Sequence, residues 1–491
     1  MSTVLLKRQL IRVKLHNVKK RKLIFLPIIF ATAIGQTVFF QLVFGKIGYL
    51  FSSIGVGALV IVLINQALRL ITNKKYLLGL FLFTLFFINV DVLGTLTGLF
   101  LGKRLSWILL APFVLYILLS IKSISKTISN NKVVLGIILF GILQIGWAIL
   151  PGSEIFLSII QRWLFYLATF LATVNFVLLS RNHLHSFMYM IVLAGLSASV
   201  MLILEYLYPS NLGISYTVRE TTQRAGGLYG HSGPAAFVVS FSALILCWLV
   251  FTRQFPRLLY WPVIAIMLWA MLVTFSTQGI ISIALIAIGL GLSITSDRIL
   301  TSSTFATWSI ALTILMLFTL NNIVFSSGML DQIRLSRDNV RRIENLKQVF
   351  SGNISALSDE MVRSNRVNLL ENSWRAVQRQ PWIGYGTGVS LRDEDKYEYL
   401  YNPFLPHNVL MMIWLENGIF VMVFVVLIFM IVIYNNIIRQ DSERWFRFLI
   451  IANLIAFMFA RHILFYYRYT AIVLGIILVL DKISFRTRRR H

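Results

Sequence analysis

The sequence predicts an all-α, polytopic membrane protein of about fourteen transmembrane helices (12–14). Three observations carry that prediction. First, 57% of the 491 residues are hydrophobic and only 13% are charged, whereas a soluble domain carries about 25% charged residues. Second, the apolar residues fall in successive runs of roughly 18 or more, the length that crosses a bilayer as helix. Third, the net charge is +26, and much of the Lys and Arg lies in short loops between those runs, as in cytoplasmic loops of membrane proteins. In a soluble chain such basicity would suggest nucleic acid. Here its distribution points to membrane lipids, and no nucleic-acid partner is expected. The single Cys247 rules out an intrachain disulfide.

Residues 1–23 are basic, with Lys7, Arg8, Arg12, Lys14, Lys19, Lys20, Arg21 and Lys22, and are expected in the cytoplasm. Residues 24–325 form the first membrane-helix bundle. Its first run, Ile24 to Phe44, contains Ala31-Thr32-Ala33, which resembles a signal-peptidase site. The run continues well past that site and reads as an uncleaved helix. Further spans are expected at 48–68, 77–97, 105–121, 133–150, 157–180, 187–208, 234–252, 259–276, 279–295 and 304–325. Residues 408–481 hold the C-terminal spans 408–434, 446–462 and 468–481, and 482–491 is a basic cytoplasmic tail. Predicted inner loops carry Arg69, Lys74 and Lys75; Lys122, Lys126 and Lys132; Arg181; Arg253 and Arg257; Arg298; and Arg439 and Arg444. Lys103-Arg104 breaks the pattern, so either that hairpin is misassigned or its charges act outside.

Residues 326–407 form one large extracytoplasmic segment, the only long polar stretch in the chain. Val340, Ile343 and Phe350 recur at helical spacing. A second helix is expected from Ser358, a good N-cap with Asp359 and Glu360 in the first turn, through Leu369, Leu370, Trp374 and Val377 to a stop at Pro381. Such amphipathic helices lie along a membrane surface or roof a cavity. The segment holds nine arginines and two lysines. Arg is favoured where a planar fork grips phosphate or carboxylate at two points, although most of these arginines read as a solvated face balanced by acids. Arg162 and Arg461 lie near membrane depth, where charge is costly and faces a cavity or a partner such as Asp91, Glu205 or Glu416.

His407 stands between Pro406 and Asn408 at a helix start. Proline fits the first helical turn, and a histidine there exchanges protons near neutral pH. Glu416 lies nine residues on, on the opposite helix face and about 13 Å away, so the two are not an acid–base pair. Glu416 reads instead as pinning a neighbouring helix. His231, in Gly230-His231-Ser232-Gly233, is a second outer histidine. The turn Gly384-Tyr385-Gly386-Thr387-Gly388 is no dinucleotide fingerprint, no P-loop occurs and no group has metal-ligand spacing. No cofactor is expected.

Three stretches together resemble a known family. They are Arg366-Val-Asn-Leu-Leu-Glu-Asn-Ser-Trp374, then Pro381-Trp-Ile-Gly384-Tyr-Gly386-Thr-Gly388, then Pro406-His407-Asn408 with Glu416-Asn-Gly418. Their order and spacing resemble the O-antigen ligase and O-antigen polymerase superfamily. Arg224-Ala-Gly-Gly-Leu-Tyr-Gly230-His231 is similar to a motif such proteins carry before a mid-chain helix. The resemblance implies a GT-C-like, metal-independent glycosyltransferase of the bacterial inner membrane, both termini cytoplasmic. It implies transfer from an undecaprenyl-diphosphate-linked glycan to a glycan or lipid-linked acceptor, building lipopolysaccharide or exopolysaccharide. On that basis His407 activates the acceptor hydroxyl, and Arg366 holds the diphosphate with Arg224 or Arg162. Gln278, His231, Gly384, Gly386, Asn408 and Glu416 support the site. One departure is Thr277-Gln278-Gly279, where the family often carries an arginine; this leaves polymerase open beside ligase. From another class, a small-anion transporter would place ionisable residues at mid-membrane, whereas the polar content here concentrates in the outer segment.

Overall fold

The computed structural model describes residues 120–149, 153–179, 181–207, 232–255, 257–274, 276–294, 366–388, 408–438, 443–460 and 468–480, together with Ile117 and Asp441. Every regular element among them is helical. In chain order these are α1 (Ile121–Ser129), α2 (Lys132–Trp147), α3 (Ser153–Leu179), α4 (Arg181–Leu207), α5 (Ser232–Phe251), α6 (Arg257–Val273), α7 (Thr277–Ile294), α8 (Arg366–Arg379), α9 (Val409–Asn417), α10 (Ile419–Ile438), α11 (Arg444–Ala460) and α12 (Arg468–Ile477). The apolar runs expected at 24–44, 48–68, 77–97 and 304–325 lie outside the described residues, as do both termini and the first amphipathic helix around 340–350.

α5 is the central post. All of its residues are buried, and α4, α6, α7 and α11 pack around it. α12 packs on α3, and α10 on α2. α10 shows why the bundle belongs in lipid. Val421, Val425, Ile428, Phe429 and Val432 face inward, while Phe420, Val423, Leu427, Met430, Ile431 and Tyr434 are exposed. Both sets recur at helical spacing, so the helix is apolar on its outer face too. In water such a stripe would be an aggregation site; in a bilayer it is the lipid contact. Ser232–Phe251 and Ile419–Asn436 are each long and apolar enough to cross a membrane, and the pair α1 and α2 forms a third candidate, bent by 106°.

Two features differ from the expectation. Residues around Lys122 and Lys126 form α1, where the sequence suggested an inner loop. Its isoleucines Ile124 and Ile128 turn to the core and its lysines to the outside, as in a helix lying along a membrane surface. The expected single span 408–434 is broken at Gly418 into α9 and α10. The cause is the contact described next.

Candidate functional site

The helix expected to stop at Pro381 does so: α8 ends at Arg379. Leu369, Ser373, Ala376 and Val377 form its buried face, and Leu370 and Trp374 its exposed one. Arg375 is paired with Glu371 at 2.6 Å on the exposed side. Such a surface pair contributes little, in keeping with a solvated face for that arginine.

After Pro381 the chain makes a turn that clasps the break between α9 and α10. Tyr385 N donates to Leu415 O at 2.9 Å, Gly386 N to Glu416 O at 2.8 Å, and Ile419 N to Pro381 O at 2.9 Å. The carbonyls of the last α9 turn, which lack intrahelical partners, are thereby satisfied by the turn. Two glycines make the approach possible. Gly384 (φ +73°) would bring a Cβ within 2.6 Å of Asn417 N, and a Cβ on Gly418 (φ +82°) would overlap the Trp382 carbonyl. Both the left-handed φ and the close approach require glycine.

Side chains lock the clasp to α2. Gln144 Nε2 donates to Asn417 Oδ1 (2.6 Å), Asn417 Nδ2 to Thr387 Oγ1 (2.8 Å), and the Thr387 hydroxyl to Gln144 Oε1 (3.0 Å). All three residues are buried. Trp147 Nε1 donates to Ile383 O (2.8 Å) and Trp414 Nε1 to Pro381 O (3.1 Å). Between α8 and α9 a small apolar cluster forms from Ala376, Val377, Tyr385 and Leu415, flanked by Met411 and Trp414. Tyr385 OH donates to Ala376 O at 2.9 Å. Glu416 is buried beside this cluster, and its backbone carbonyl is part of the clasp.

At the other end of α9, Asn408 is the N-cap. Its Oδ1 accepts from Leu410 N (2.9 Å) and Met411 N (3.1 Å). The asparagine of Pro406-His407-Asn408 thus fixes the helix start immediately after His407. His407 itself, with Arg224 and His231, lies outside the described residues. Arg366 is on α8, and Arg162 is on α3 with an exposed side chain. Gln278, buried on α7, donates to Ser282 Oγ (3.2 Å) and Asn453 Oδ1 (3.4 Å). Asn453 also exchanges hydrogen bonds with Ser240, at 2.9 and 3.2 Å, so Gln278 joins a neutral network across α5, α7 and α11. The structure therefore brings Gly384, Gly386, Glu416 and the α8 and α9 helices together, and sets Gln278 and Arg162 on other helices.

Residues 262–426 match the family model described as O-antigen ligase. That segment belongs to the O-antigen ligase superfamily. The match links that segment to membrane enzymes of surface-polysaccharide biosynthesis. No curated protein matches the chain. The O-antigen ligase segment contains both sides of the clasp, with Arg366 and Asn408. Gln144 and Trp147, which brace it, lie outside the segment and went unread in the sequence. The available signal was a lone amide in an otherwise apolar helix, where an unpaired polar group is costly. Among the described residues no His, Cys, Asp and Glu group is arranged to hold a metal.

Proposed function

We propose that the chain is a membrane glycosyltransferase that moves a glycan from an undecaprenyl-diphosphate carrier to an acceptor hydroxyl. The clasp carries this reading. It joins the C-terminal ends of α8 and α9, the helices bearing Arg366 and, one residue ahead of its cap, His407. Catalytic groups must be held on rigid elements to within a fraction of an ångström, and a clasp that ties α8 to α9 supports a site shared by the two helices.

The roles follow from chemistry. As the glycosidic bond breaks, the diphosphate leaves with developing charge. Arg366 stabilises it through its two-point fork, with Arg224 or Arg162 as the second cation, since Gln278 is neutral and tied up inside the bundle. His407 takes the proton of the acceptor hydroxyl. A polymerase of the same superfamily shares this donor chemistry and differs only in acceptor. The neutral Gln278 in place of an arginine keeps that reading beside the ligase one.

The test compares transfer and donor binding at equal membrane abundance. Arg366→Lys is expected to lose donor binding and transfer although charge is kept, because Lys lacks the fork. His407→Ala is expected to bind donor nearly normally and to turn over roughly 10²–10⁴-fold more slowly. Near-normal transfer by His407→Ala removes it from the mechanism, and normal donor binding by Arg366→Ala makes that arginine structural.

A further inference from the structure

A polar pocket lies at the other end of α2 and α10, two helices that meet the clasp. α2 runs from Lys132 to Trp147 and α10 from Ile419 to Ile438. Trp147 and Ile419 touch the clasp, so Lys132 and Asn436 lie about 22–26 Å away along the helix axes. There a cavity of about 300 Å³ opens between the α2 N-terminus and the α10 C-terminal turns, lined by Asn130, Asn131, Lys132, Asn435 and Asn436 among others. Among the described residues its lining contains one cation and no carboxylate.

Two amides in this cavity have an unused half. Asn131 is 6% exposed. Its Oδ1 caps α2, accepting from Val133 N and Val134 N, which fixes the amide orientation. Its buried Nδ2 then has no hydrogen-bond partner. Asn436 is 3% exposed. Its Nδ2 donates to Val432 O, and its buried Oδ1 has no partner. A buried polar atom left unmatched is costly, about 1–3 kcal/mol, so such a pair of atoms marks a place where something binds. The cavity offers a free donor, a free acceptor, a lysine at its rim and the positive end of a 16-residue helix. α1, turned 106° from α2 with exposed Lys122 and Lys126, sets this end at the level of the lipid headgroups.

We infer that this pocket holds the headgroup of a membrane phospholipid. The phosphodiester sits against Lys132, Asn131 Nδ2 and the α2 N-terminus, and the terminal hydroxyl or ammonium donates to Asn436 Oδ1. Basic pockets between helices on the cytoplasmic side suit such headgroups.

The probe is short-chain phosphatidylglycerol, titrated into the detergent-purified full chain. Asn131→Asp keeps a good cap but turns the free donor into a negatively charged acceptor. It is expected to weaken binding about tenfold or more at unchanged Tm. Asn131→Ser, which keeps a capping oxygen and deletes the amide, is expected to weaken it as well and guards against misfolding of the first variant. Asn436→Leu is expected to erase a preference for phosphatidylglycerol over phosphatidic acid of equal chain length. Unchanged affinity in both Asn131 variants overturns the inference. So does a wild-type site that inorganic phosphate fills as well as the lipid does.

Discussion

Gln144, Thr387 and Asn417 form a closed ring in which each side chain donates once and accepts once. The direction of each bond fixes the next, so the three side chains orient as a unit. Removing one member leaves two buried groups unmatched, at about 1–3 kcal/mol each. Gln144→Leu should therefore lower stability by roughly 2–6 kcal/mol, and Asn417→Leu by a similar amount. The double variant should cost less than the sum, because both changes break the same ring. Thermal unfolding in detergent checks this; additive losses would show three independent bonds. The ring also explains what sequence could show of the site. Asn417 and Thr387 sit inside motifs legible in the sequence. Gln144 lies 273 positions from Asn417, and no local pattern announces such a partner.

At the level of elements, α8 was legible because its ending is local: proline stops a helix wherever it stands. The helix start near Ser358 lies outside the described residues. The break at Gly418 was not legible, because Asn-Gly within an apolar run also fits a continuous span. Only the opposing turn, with Gly384 against the Asn417 backbone, makes glycine obligatory there. Gly418→Ala should separate the turn from α9. The strained φ alone costs about 1–2 kcal/mol, and the overlap with Trp382 adds to it. The variant is expected to lose transfer with donor and acceptor alike, while a glycine-to-alanine change in open space, at Gly146, leaves transfer intact. Protease sensitivity near Trp382 reads the loosened clasp directly.

For the whole molecule, composition sufficed to say helical and membrane-embedded, because α5 and α10 are each long and apolar enough to cross a membrane. The Lys and Arg distribution makes a prediction about sidedness. Reporter fusions should report the outside at Ser355 and the inside at His491. An external signal at His491 inverts the whole arrangement and moves the clasp to the cytoplasmic face. Activity on a lipid-diphosphate glycan should persist in chelator, since guanidinium groups are assigned the charge that a metal would otherwise neutralise. Loss in chelator with recovery in magnesium would refute that assignment.

The distance in sequence between Gln144 and Asn417 has a consequence in time. At about 5–20 residues per second of synthesis, Gln144 enters the membrane tens of seconds before its ring partner exists. The turn at 381–388 likewise emerges before α9 can meet it. A nascent chain therefore holds its early helices with the ring open and the α8 and α9 ends unjoined. The closed clasp therefore exists only after α10 has begun to insert, and a chain cut short before Asn417 lacks it altogether.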